Sequence, residues 1–233
     1  MPVTDTGQGG TLAKTYEGKP GLPRGRSRLP LPAVRASQRE GLLRSVIAAV
    51  SESGYMAVTV ADIVRRARVS RAAFYAHFAD KEDCFLAATA EGRELMIAQV
   101  VSATRALPTG SCDEELLRVA CRAYLAFLAS EPAFTRVFYI HMPAAGPRAV
   151  DRLDAAAGLF ADLNQKWHQR AREHHPEWPR VPPEAYLALA GATDELVRST
   201  VRAGRTDALP KLEETLVSLH LAVLAARPWP AGT

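Results

Sequence analysis

The chain has 233 residues, 48% of them hydrophobic, with a net charge of +4 and a pI near 9.1. That length allows one large or two modest domains with a real core. No early segment has the long apolar run of a signal peptide or a membrane span, so a soluble, cytoplasmic protein with no membrane partner is expected.

Residues 1–36 are rich in Gly, Pro, Thr and Arg and show no periodicity. They read as an extended or disordered basic arm, in which Arg24, Arg26 and Arg28 could reach phosphates or a minor groove. A solvated leader without a role is the plain alternative. Ser37 with Glu40 predicts a capping box opening the first firm helix. Leu42, Leu43, Val46, Ile47 and Val50 give that helix its buried face, and Gly54 predicts its end.

Two short helices follow. Thr59 is a good N-cap with Asp62 three residues on, and Val60, Ile63, Val64 and Ala67 make an apolar stripe. Arg68 and Val69 break the pattern, and Ser70 offers a second N-cap. Phe74 and Phe78 face inward together, which leaves Arg71, Ala72, Tyr75 and His77 directed outward or toward the helix start. A short helix with a buried back and a small polar front suits the major groove of DNA.

The run TVADIVRRARVSRAAFYAHFADK, Thr59 to Lys81, resembles the DNA-binding signature of the tetracycline-repressor (TetR) family at Thr59, Ile63, Ala67, Val69, Ser70, Phe74, Tyr75, His77, Phe78 and Lys81. It covers about a tenth of the chain. The resemblance implies an all-α protein: an N-terminal three-helix helix-turn-helix domain, then a larger C-terminal helical domain for ligand binding and dimerisation. The boundaries expected are 1–36 for the arm, 37–82 for the DNA-binding domain and 83–233 for the rest. The resemblance further implies that Tyr75 and Lys81 contact phosphate and that Thr59, Arg68, Ser70, Arg71, Ala72, Ala73 and His77 lie at the DNA. One position departs from the pattern. Arg68 stands where the family's turn usually carries Gly, a residue suited to a left-handed backbone. Either that conformation is kept at a cost of about 1 kcal/mol, or Arg68 adds a phosphate contact.

Charge supports the same polarity. Residues 1–36 carry six Lys and Arg against two acids, 37–82 carry seven against five, and 83–233 carry sixteen against eighteen. The positive end is therefore the end with the helix pair. Cys84, Cys112 and Cys121 form no CxxC pair, so buried thiols are expected rather than disulfides or zinc.

Asp80 predicts the cap of a helix over 81–105, which in the family links the DNA-reading domain to the sensing body. Ser111 with Glu114 predicts another capping box. The helix after it carries Tyr124 and Phe127; a short helix from Glu131 carries Phe134, Phe138 and His141 on one face. A long helix over 148–174 carries Phe160, Asn164 and Trp167. The plain reading of these aromatics is core. With Asn164 and His141 on the same stripes they are also the expected lining of a small-molecule effector site, which the resemblance places between these helices. His168, His174 and His175 beside Glu173 invite a zinc site, but adjacent histidines point to different helix faces. No metal, cofactor or catalytic residue is expected.

Two last helices, over 184–203 and 210–226, carry Ala188, Gly191 and Ala192, then Leu212, Leu216, Leu219 and Val223. Both stripes could complete the monomer core. The resemblance implies a homodimer through this pair of helices. The function expected is a ligand-responsive repressor on a palindromic double-stranded operator, released by a hydrophobic or aromatic effector. The alternatives are an all-helical enzyme using His141 or the His174 and His175 pair, and a DNA-associated protein without a sensor.

Overall fold

The computed structural model describes residues 10–15 and 30–226, and every regular element among them is helical. The main helices are α1 (Leu31–Ser53), α2 (Val60–Ala67), α3 (Arg71–Tyr75), α4 (Lys81–Arg105), α5 (Asp113–Ser130), α6 (Pro132–Arg136), α7 (Pro147–His174), α8 (Pro183–Arg202) and α9 (Glu213–Leu224). They divide into two compact units. One comprises residues up to 95 together with 130–146; the other comprises 96–129 and 147 onward. No helix among the described residues is long and apolar enough to cross a membrane.

The first unit is built on α1. Leu42, Val46 and Val50 of α1 are buried, as are Ile63 of α2, Phe74 of α3 and Phe85 of α4, and α1 packs on α2 and α3. Helix α1 starts at Leu31, well before the expected Ser37. Pro32 lies in its first turn, where a missing N–H costs nothing, so the proline starts the helix rather than delaying it. Ser37 is then interior, and Glu40 pairs with Arg44 instead of closing a capping box. Gly54 ends α1 at φ 79°, as its sequence position suggests.

Part of the stretch expected to be extended is instead held in place. Thr11–Ala13 form one 3-10 turn. The carboxylate of Glu131, itself buried, accepts from Thr11 N at 2.8 Å, Thr11 Oγ1 at 2.7 Å and Leu12 N at 3.0 Å. A side chain at Gly10 would put its Cβ 2.1 Å from Glu131 Oε2 and 2.4 Å from the Ser130 carbonyl. Only glycine admits this approach. Arg24, Arg26 and Arg28 lie outside the described residues. Helix α6 seats on α4 by a similar fit: a Cβ on Gly92 would come within 2.2 Å of the Phe134 ring.

In the second unit, α7 lies along α8, and Tyr186, Leu189 and Leu224 form a buried cluster with Trp167, Leu219 and Val223 packed on it. Arg122 of α5 grips Glu213 of α9 through bonds of 3.0 and 2.7 Å. Ser111 does not cap α5. Its hydroxyl turns back to the Pro108 carbonyl at 3.0 Å, leaving buried Asp113 to open the helix. Asp113 gathers two partners from α7: His174 Nδ1 at 2.9 Å on its carboxylate, and Trp167 Nε1, which donates to its backbone carbonyl at 3.1 Å. His168 Nδ1 meets the Tyr186 hydroxyl at 2.8 Å. Two of the cysteines, Cys84 and Cys121, are buried as expected; Cys112 is exposed.

The Glu131 clamp is testable. Glu131→Ala removes all three acceptor contacts, each of the charged-acceptor kind that contributes roughly 1.5–3 kcal/mol. Amide exchange at Thr11 and Leu12 should rise at least tenfold while exchange in α1 stays unchanged. Equal protection in the variant would show that the turn is held by packing alone.

Candidate nucleic-acid interface and ligand cavity

The helix pair of the first unit is set by its caps. Thr59 Oγ1 accepts from Asp62 N at 3.3 Å, and Asp62 Oδ2 accepts from Thr59 N at 3.0 Å and from Thr59 Oγ1 at 2.6 Å. This is a closed capping box. The Thr59 side-chain and backbone hydrogen bonds, with Arg65 behind them, hold the Asp62 carboxyl at about 2 instead of 3.8. A depressed carboxyl stabilises the fold above its ordinary value and loses that contribution as pH falls through about 2, so the box keeps its charge throughout the neutral range. Ser70 Oγ accepts from Ala73 N at 3.0 Å and caps α3.

Between these helices Arg68 adopts φ 55° and ψ 37°, the left-handed conformation that glycine would take there. The left-handed turn is therefore kept with Arg in place of Gly. The turn closes with Val69 N donating to the Val64 carbonyl at 3.1 Å.

The outward surface of α3 is small and polar. Arg71 and Ala72 are exposed, Tyr75 is 54% exposed, and Ala73 is half-buried. Among the described residues Arg71 has no hydrogen-bond or ion-pair partner. His77 sits deeper than the sequence suggested. Its Nε2 is buried without a partner among the described residues, and burial, then the nearby charges of Arg35 and Arg39, push its pKa down. Arg35 and Arg39 come from α1. Arg39 bonds Glu91 at 3.0 Å and lies over the Phe78 ring at 6.0 Å, a placement that only tertiary packing reveals.

Lys81 has work inside the protein. Its ammonium donates to the Tyr55 and Val58 carbonyls, each at 2.9 Å, and lies 4.0 Å from the Tyr55 ring centroid. Burial lowers its pKa. An ammonium has three donors, and these carbonyls take two.

The second unit holds a cavity of about 290 Å³. Its walls are Met96, Ile97, Val100, Val101 and Thr104 of α4, Leu116, Leu117, Ala120, Cys121 and Tyr124 of α5, Phe160, Leu163, Asn164 and Trp167 of α7, Ala190, Thr193 and Asp194 of α8, and Leu216 and His220 of α9. Of the eight residues expected at a ligand site, Tyr124, Phe160, Asn164 and Trp167 meet here; the Tyr124 and Phe160 rings pack edge to face at 5.7 Å. Phe127 is buried but does not line the cavity. Phe134, Phe138 and His141 belong to the first unit, where the two phenyl rings pack at 5.8 Å and His141 lies beside Gly54. The i, i+4 spacing marked them as buried without saying against what.

Leu216 of the expected association stripe lines this cavity and is 1% exposed in its own protomer. Leu219 and Val223 are half-buried against the Tyr186 cluster, and Leu212 is half-buried. Outward from α8 point Leu187, 52% exposed, with Ala188 and Gly191; Ala192 is half-buried. His175 stacks on Trp178 at 4.6 Å, and no cluster of three or more His, Cys, Asp or Glu suited to a metal occurs among the described residues.

Two capped helices joined by a left-handed turn and backed by α1 form a helix-turn-helix unit. Residues 42–88 match the model of the bacterial regulatory proteins, tetR family. The match spans α2 and α3 with the adjoining parts of α1 and α4. No curated protein matches the chain in sequence. Solved structures share its fold. The fatty acid degradation regulator FadR of Bacillus halodurans is 18% identical, with a TM-score of 0.66 over 79% of this chain and 94% of its own. The Bacillus subtilis regulator FadR, solved in complex with stearoyl-CoA, is 15% identical with a TM-score of 0.69, over 78% and 97%. A TetR-like transcriptional regulator from Rhodococcus is 23% identical with a TM-score of 0.61, over 84% and 99%.

The turn yields a prediction. Arg68→Gly relieves a left-handed side-chain conformation worth about 1 kcal/mol. The variant should melt a few degrees higher in a thermal scan. A lower melting temperature would mean that contacts of the Arg68 side chain outweigh its backbone strain.

Proposed function

We propose that this protein is a ligand-responsive transcriptional repressor that binds a palindromic operator as a homodimer. The observation that carries the reading is Arg71. It opens a capped, groove-sized helix, is exposed, and has no partner among the described residues, in a chain whose other unit encloses an apolar cavity. Arg can pair with guanine through two parallel hydrogen bonds. Ser70, Ala72, Ala73 and Tyr75 then border the bases and backbone, and Thr59 and Arg68 flank the phosphates.

The effector enters the cavity of the second unit. Helix α4 begins with Lys81 and continues to the cavity wall at Met96–Thr104. A ligand that favours one packing of that wall shifts α4, and with it the reading helices of a dimer, away from the spacing the operator requires. The reading is supported by the helix-turn-helix unit and by a fold shared with a regulator solved in complex with stearoyl-CoA.

Association is proposed through α8 and α9. Leu187, Ala188 and Gly191 point outward from α8 and admit close helix approach, whereas Leu216 faces inward. Leu187→Asp should yield a folded monomer by sedimentation, with unchanged helical circular dichroism. A monomeric wild type at micromolar concentration would overturn the dimer.

The operator itself can be enriched from a random duplex pool with the full chain. Arg71→Ala should then cost about 1–3 kcal/mol per half-site on the operator and little on random duplex. Lys81→Ala should weaken both and flatten the salt dependence, with some loss of domain stability because the Tyr55 and Val58 carbonyls lose their donor. Equal losses on both duplexes for Arg71→Ala would make Arg71 a phosphate clamp.

A further inference from the structure

The polar groups of the cavity are few. His220 Nδ1 lies 2.7 Å from the Leu216 carbonyl. A carbonyl only accepts, so Nδ1 carries the proton. Burial keeps the ring neutral by pushing its pKa down. Nε2, on the far side of a ring that lines the cavity, is then a bare acceptor with no protein partner among the described residues. On the neighbouring helix, Thr193 Oγ1 is buried and has no hydrogen-bond partner among the described residues. Buried polar atoms left in this state are costly unless something supplies their partners.

The lining is as informative for what it lacks. Among the described residues it contains no Lys and no Arg, and its one acid is Asp194. The rest, apart from Thr104 and Asn164, is apolar, aromatic or thiol. Thr104 already donates its hydroxyl to the carbonyls of its own helix. Carrying an anion into such a space leaves it without a lysine or arginine in the lining to pair with, an unfavourable transfer. A neutral molecule with a hydroxyl or other donor meets no such penalty.

We propose that the cavity takes uncharged, largely hydrocarbon molecules bearing a hydrogen-bond donor, typically a hydroxyl or phenol, anchored at His220 Nε2 and Thr193 Oγ1, and that it excludes carboxylates and phosphate-bearing acyl carriers. The inference rests on reading the cavity as the effector site, and it separates this chain's ligand chemistry from the stearoyl-CoA found with the Bacillus subtilis structure of the same fold.

The test uses the full chain and a pair of probes matched in shape, para-hexylphenol and para-hexylbenzoate, with stearoyl-CoA as a third. Binding is followed by calorimetry and thermal shift at neutral pH. The phenol should bind at least tenfold more tightly than the benzoate, and stearoyl-CoA should not bind. Thr193→Val and His220→Phe keep the bulk of the side chains and should each weaken the phenol by roughly five- to tenfold. Thr193→Ser should restore binding, which separates a hydroxyl contact from a packing effect. Ala120→Trp, which fills the cavity, should abolish binding. If the benzoate or stearoyl-CoA binds as well as the phenol and Ala120→Trp blocks it, the ligand class is wrong and the cavity remains the site. If the phenol binds equally to the wild type and to Ala120→Trp, or to neither, the cavity is not the site and the inference falls with it.

Discussion

The helix-turn-helix unit depends on one ammonium group. Lys81 is the first residue of α4, and its Nζ reaches back to carbonyls at Tyr55 and Val58, the latter 23 positions earlier in the chain. Everything between, α2, the turn and α3, becomes a closed segment pinned at both ends. Backbone carbonyls in a loop need partners once buried, and here a side chain supplies them from the helix that follows the segment. The Tyr55 ring beneath the ammonium and against Phe85 adds a cation–π face and ties the same point to the core. Within the closed segment the caps at Thr59 and Ser70 fix where each helix begins. Arg68 fixes the angle between them. The direction in which Arg71 projects follows from these contacts rather than from α3 itself, since a five-residue helix has almost no stability of its own.

The second unit obeys a different constraint. Its cavity is enclosed by five helices, and the charges that hold α5 to α9, Arg118 and Arg122 with Glu213 and Glu214, lie outside it. Those pairs are exposed enough to contribute little individually. Their consequence is placement: both cations of α5 are committed to surface contacts, and the cavity lining contains neither. Trp167 shows the same division of labour within one side chain. Its indole N–H goes to the Asp113 carbonyl while the ring borders the cavity.

The helix pair was legible because its signals are local. An N-cap, an acid three residues on, an apolar stripe and an inward Phe74 and Phe78 all lie within a few turns, and each formed. Local signals also misled. Ser37 with Glu40 and Ser111 with Glu114 carry the same capping pattern, yet Glu40 had Arg44 nearby and the Ser111 hydroxyl had the Pro108 carbonyl. Pro32 falls within the arm expected to be extended, yet it lies in the first turn of α1. Half of the expected ligand stripe, Tyr124, Phe160, Asn164 and Trp167, converges, because α5 and α7 face one another within one unit. Phe134 and Phe138 have equally good spacing and fill the other unit's core. The Glu131 clamp joins residues 120 apart, and the lone acceptor on His220 depends on which carbonyl its other nitrogen meets. Neither can be read from a window of sequence.

Lys81 also carries a competition that the sequence resemblance hides. As the family's phosphate contact it would direct its ammonium outward; in this protein two of its three donors are held inward at 2.9 Å. A phosphate can therefore take only the third donor, or draw the ammonium away from carbonyls that would then lack a partner. Burial already disfavours the charged form, and an approaching phosphate favours it. One ammonium can thus hold both loop carbonyls and still offer its third donor to a phosphate. Arg at the same position could not do this. Its planar fork would span a phosphate in two bonds but could not gather two loop carbonyls around one compact nitrogen.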